Sequence, residues 1–146
     1  MRGPKIIETL ARTFTDISER LDVTNWSQVA ATVEQTVHHP AFVVIATKIP
    51  PAGMETEFTD ALSRLTERHT VLVASATDPD ELRARSGRSD AEEVFLAASA
   101  ALAERADEAG AADVRLAGAL TLQASADLLP ARTADRYIDL KKSGRL

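Results

Sequence analysis

Apolar residues in this chain fall into two patterns, three-and-four-residue steps and unbroken runs, and their alternation lays out an order of helices and strands. Ile6, Ile7, Leu10, Phe14, Ile17 and Leu21 recur at helical spacing with Glu8, Arg12, Asp16 and Arg20 between them. That is the apolar face of an amphipathic helix, and Pro4 suits its first turn. The polar break from Asp22 to Asn25 lets Thr24 or Asn25 cap a second helix through Val37, whose inward stripe is Trp26, Val29, Val33 and Val37. Trp26 is the sole tryptophan and is expected to anchor the core. These two helices span residues 4–37.

The segment 41–49 then runs apolar without alternation, broken only by Thr47 and Lys48, between Pro40 and Pro50. A short run rich in Val and Ile reads as a strand buried on both faces, as in a parallel sheet covered by helices. Met54 to Arg68 carries Phe58, Leu62 and Leu65 on one helical face, and Thr70 to Ala76 is a second buried run. A strand, a helix and a strand of this kind make a right-handed crossover between parallel strands. Ser89 and Glu92 have capping-box spacing and open a long alanine-rich helix. Its expected inward face is Val94, Phe95, Ala98, Leu102 and Ala106, with Gly110 as its C-cap. The alternation from Asp113 to Ala117 predicts a short third strand near a sheet edge, and 121–126 reads as a loop. A last helix is expected from Asp127 to Lys142, with Pro130 in its first turn and Gly144 past its end. Leu128, Ala134, Tyr137, Ile138 and Leu140 would pack it. The chain thus reads as a single domain over 1–146, two N-terminal helices followed by β-α-β-α-β-α over 41–146. The expected class is α/β, in three layers, with a short, mainly parallel sheet of about three strands flanked by helices.

Composition narrows the function classes. At 146 residues, 45% apolar and 27% charged, the chain suits one globular domain. A net charge of −5 argues against nucleic acid or an anionic membrane as partner, and the basic run 140–145 reads as a solvated helix end. The absence of cysteine excludes a disulfide framework, a thiol nucleophile and a thiolate metal site. No apolar run approaches the ~20 residues of a membrane span. The first residues lack the apolar core of a signal peptide, so a cytoplasmic protein is expected.

Ligands of parallel sheets sit at the carboxyl ends of the strands. Thr47, Lys48, Asp78 and Asp80 stand there and form the candidate interaction site, with Arg83, Arg85 and Arg88 in the loop beyond. Turn chemistry alone accounts for Asp78 before Pro79 and for Asp80 as a cap. Lys48 facing Asp78 would form a structural ion pair. His38 and His39 are adjacent but have no third ligand close in sequence, and His69 ends a different helix, where its cationic form is favoured. No phosphate-binding glycine loop and no nucleophile elbow occurs, so no catalytic residue, cofactor or metal is expected.

The ordered set Asn25-Trp26, Phe42 to Thr47, Glu67 to Ser75, Asp78-Pro79, Ala91 to Val94 and Asp135 to Leu146 resembles the C-terminal half of a bacterial family. That family comprises von Willebrand factor A-like proteins called "domain of unknown function 58". The resemblance implies half of a doubly wound domain whose top edge can hold a divalent ion. It also implies a genetic neighbourhood with MoxR-type AAA ATPases and, in many members, membrane helices ahead of the domain. The chain departs from the pattern in two ways. The first half, with its D-x-S-x-S loop, is absent; Asp16 to Ser18 and Thr59-Asp60 are fragments of such patterns inside predicted helices. The family's Thr-Asp is Thr47-Lys48 here. At an effective dielectric near 20, a unit pair ~4 Å apart is worth ~4 kcal/mol, so exchanging a carboxylate for an ammonium opposes a dication. The expected function is a non-catalytic protein-interaction module, a truncated and metal-site-deficient relative of these proteins. Its expected partners are a MoxR-type ATPase, another von Willebrand A-like chain, or a second copy through the edge strand at 41–49. The alternative is a small-molecule-binding or hydrolytic α/β protein using the loops at 47–48 and 78–80.

Overall fold

The computed structural model describes residues 8–9, 12–15, 17–18, 22–78 and 91–146. Residues 8–9 and 12–15 are helical, within the first expected helix. The elements that follow are α1 (Trp26–Thr36), β1 (Phe42–Ala46), α2 (Thr56–Thr66), β2 (Thr70–Thr77), α3 (Ala91–Leu116), β3 (Leu120–Ser125) and α4 (Leu129–Lys142). The class is α/β, with one three-stranded, all-parallel sheet of order β1-β2-β3 flanked by helices.

Local chemistry sets the boundaries. Asn25 caps α1, its side chain accepting from the Gln28 N–H at 2.8 Å. Trp26 packs on Phe58 with ring centroids 4.5 Å apart, and its Nε1–H donates to the Glu55 carboxylate at 3.0 Å. The tryptophan is therefore half-buried, its ring against the core and its N–H at the surface. Pro130 sits in the first turn of α4, and Gly144 closes that helix with φ +68°.

The core lies on one face of the sheet. Val71 and Val73 of β2 pack there with Ala30 of α1, Phe58, Ala61, Leu62 and Leu65 of α2, and Ala111 and Val114 of α3. Leu72 and Ala74 point the other way and are buried under α4, which contributes Leu140. In-register pairing places Leu120 and Leu122 beside Leu72 and Ala74, and Thr121 and Gln123 beside Val73 and Ser75. So β3 shows leucine toward α4 and polar side chains toward α3.

Five expectations are corrected. β1 is not buried on both faces: Val44 is 41% exposed and Ala46 is exposed, because the strand lies at the sheet edge. The inward face of α3 is not Val94, Phe95, Ala98, Leu102 and Ala106, all of which are exposed; Gly110, Ala111 and Val114 are buried instead. Gly110 is not a C-cap but lies inside the helix, where an added Cβ would collide with the Pro50 carbonyl. Close approach to the chain after β1 demanded a small-residue face, and small residues leave a weak periodic signal. Asp113 to Ala117 is therefore helix and turn, not strand, and the third strand is 120–125, where a loop was expected. On α4, Leu128, Ala134 and Ile138 are exposed, and Leu140 alone is fully buried.

Candidate functional site

The carboxyl ends of the three strands open into a cleft of about 910 Å³ between the sheet and α3. The Thr47 N–H donates to the Ala74 carbonyl at 3.1 Å, carrying the β1–β2 ladder one step past the strand end. This hold aims Lys48 into the cleft while Ile49, 2% exposed, turns into the core. Asp78 follows β2 on the same rim, and α3 supplies the opposite wall through Glu104, Arg105, Asp107 and Glu108. Ser75 and Gln123 are register partners and line the sheet side. Of the four expected site residues, Lys48 and Asp78 thus come together in one cleft. Thr47 does not line it, and its hydroxyl turns to the Lys48 carbonyl at 3.4 Å. Asp80 lies outside the described residues, as do Arg83, Arg85, Arg88 and the capping serine Ser89.

Sequence reasoning missed the wall from α3 and the polar floor. Glu104, Asp107 and Glu108 are spaced three and four apart, one face of a helix. That signal was legible but was hidden by assigning the opposite stripe to the core. Ser75, 5% exposed, was the one interruption of the apolar run in β2. Both signs of charge are interspersed in the lining, and Glu108 is held by Arg115 at 2.7 Å, whose Nη1–H also donates to the Thr121 hydroxyl at 3.4 Å. The described lining offers hydroxyls, one amide and charges but no imidazole, so it assembles no serine–histidine pair. Among the described residues no group of three His, Asp or Glu side chains could hold a metal ion.

His69 stands just past the helix end where the sequence places it, but it is turned inward. It is 6% exposed, follows α2 in a turn, and neither ring nitrogen has a hydrogen-bond partner. His38 and His39 remain at the surface. Past β3, the Ser125 hydroxyl and then the Asp127 and Leu128 backbone N–H groups hold the Asp127 carboxyl below its ordinary value.

The second candidate is the free side of β1. Ala41 accepts from the Thr70 N–H and Thr47 donates to Ala74, so the odd-numbered residues of this segment face β2 with their backbone groups. By the alternation of a ladder, the N–H and C=O groups of Phe42, Val44 and Ala46 point away from the sheet. Among the described residues no strand pairs with β1 on that side. The strand Phe42–Ala46, exposed only at Val44 and Ala46, contains neither charge nor proline, the usual guards of an edge. On the α4 face beside it, Phe42 meets the Tyr137 ring at 5.7 Å between centroids, and Lys141 lies 5.9 Å over that ring. Tyr137 and Ile138 remain 41% and 45% exposed.

No family model, curated protein or solved structure matches this chain. Among the described residues no helix is long and apolar enough to cross a membrane.

Proposed function

We propose that this protein is a non-catalytic interaction module whose working surface is the edge of β1, where a partner chain adds a strand. The observation that carries the reading is an unguarded edge: five apolar residues with one full row of outward backbone groups. Main-chain hydrogen bonds would supply the affinity of such a complex, and alternate side chains its selectivity. Three parallel strands in sequential order with helices on both faces are also what half of a doubly wound domain contains, in line with the von Willebrand A-like resemblance. On that reading the partner is a chain that completes the sheet: another von Willebrand A-like protein, a MoxR-type ATPase or a second copy of this chain. Lys48 is then the mark of a lost ion site and, with Asp78, part of the support beneath the strand.

A selection of displayed extended peptides tests the reading. Peptides retained by the wild-type protein should be lost with Val44→Pro. Residue 44 points its N–H outward, so proline there blocks the edge while sparing every β1–β2 hydrogen bond. Retention unchanged in Val44→Pro, with the melting temperature preserved, sinks the edge as the working surface.

A further inference from the structure

We infer that the occupant of the β1 edge is a second copy of this chain, paired antiparallel about a two-fold axis at Val44. The inference rests on the proposal that the edge accepts a strand, and adds which strand and in what register. The outward-facing residues are Phe42, Val44 and Ala46. Setting Val44 opposite its own copy puts Phe42 opposite Ala46 on both sides of the axis. Every outward N–H and C=O of the strand then meets a partner, two bonds in each of three facing pairs, hence six. A shift of one pairing step either way leaves a facing pair unmade. The side chains agree with the register: on the α4 face the large Phe42 meets the small Ala46, and on the core face Val43 meets Ile45. A two-fold perpendicular to the sheet keeps the α4 faces together and brings Val44, 41% exposed at the edge, against its own copy.

Charge selects the direction. From residue 35 to residue 54 the chain carries no carboxylate, and Lys48 is its one permanent cation. Parallel pairing in register would set Lys48 beside its own copy, one strand spacing of ~4.8 Å away. Antiparallel pairing about Val44 separates the two by eight residues along the strand direction, ~26 Å, well beyond the ~10 Å screening length at 0.1 M salt. The other sheet edge does not compete, since β3 places Thr121, Gln123 and Ser125 at alternate positions where β1 is wholly apolar.

The chain has no cysteine, so a single one reports the register without interference. In the full chain, Val44→Cys should convert under mild oxidation to a covalent dimer. The facing Cα atoms of such a pair lie ~5.5 Å apart, within disulfide reach of roughly 4.4–6.8 Å. Ala46→Cys should stay uncoupled, because its own copy is four residues away along the strand, ~13 Å. Light scattering on the wild-type chain should give twice the monomer mass, reverting to monomer in Val44→Pro. A wild-type monomer at high concentration with no Val44→Cys coupling overturns the second copy. Coupling at Ala46 in place of Val44 overturns the register. The edge reading is judged separately: loss of peptide capture in Val44→Pro keeps it standing when the second copy fails, and unchanged capture removes both.

Discussion

β1 and β2 share one signature, short runs of Val, Leu, Ile and Ala without alternation, and meet opposite fates. Residues 71–75 of β2 are buried without a break, with Leu72 and Val73 fully enclosed by helices on both faces. β1, paired to it residue for residue, exposes Val44 and Ala46. Composition reports that a strand is suited to burial on both faces, and a neighbour on each side has to deliver it. In β1 a strand with the composition of a central one stands at an edge, with no strand beyond it among the described residues.

The contrast is broken most directly by truncation. Leu72→Ala should lower stability by about 2–5 kcal/mol, since it empties a fully enclosed site. Val44→Ala, measured by denaturant melts at low protein concentration, should cost under about 1 kcal/mol. Equal losses at the two positions would show that β1 is covered in solution even as a monomer. Gly110→Ala comes next. An interior helical glycine replaced by alanine gains about 1 kcal/mol of propensity, but here the new methyl meets the Pro50 backbone, which has no rotamer to yield. A net loss of about 1–2 kcal/mol is expected, and a gain would mean that α3 does not bear on the chain leaving β1.

The smallest effect lies at the far end of the sheet. Because the Asp127 carboxyl titrates below its unfolded value, its contribution is present above the ordinary carboxylate range and is lost as pH falls through the folded value. Ser125→Ala should move its NMR titration midpoint up toward the ordinary value and leave β1 pairing unchanged.

Much of this fold is legible in the sequence because burial and periodicity coincide there. Asn25, Phe58, Leu62, Leu65, Pro130 and Gly144 sit where capping chemistry and three-and-four spacing put them. Legibility fails where a helix packs through small residues. Gly110 and Ala111 are buried beside Val114, whereas Phe95 and Leu102, with the stronger hydrophobic signal, face solvent. The same small-residue face conceals where the third strand begins and which side of α3 walls the cleft. Lys48 and Asp78 are legible because strand ends are positions fixed by topology. Ser75 and Gln123 face the cleft through a register that no local pattern encodes.

The length of α3 has its own consequence. At 1.5 Å per residue its 26 residues extend about 39 Å, and the buried positions cluster at 110–114. Over 94–106, where six of the thirteen residues are alanine and none is buried, helicity must draw on intrinsic backbone preference more than on burial. That half of the helix is thus a nearly autonomous rod. Because Glu104 and Arg105 stand one to two turns before the buried stretch, their place at the cleft is set from that end, and changes nearer residue 91 leave both where they are.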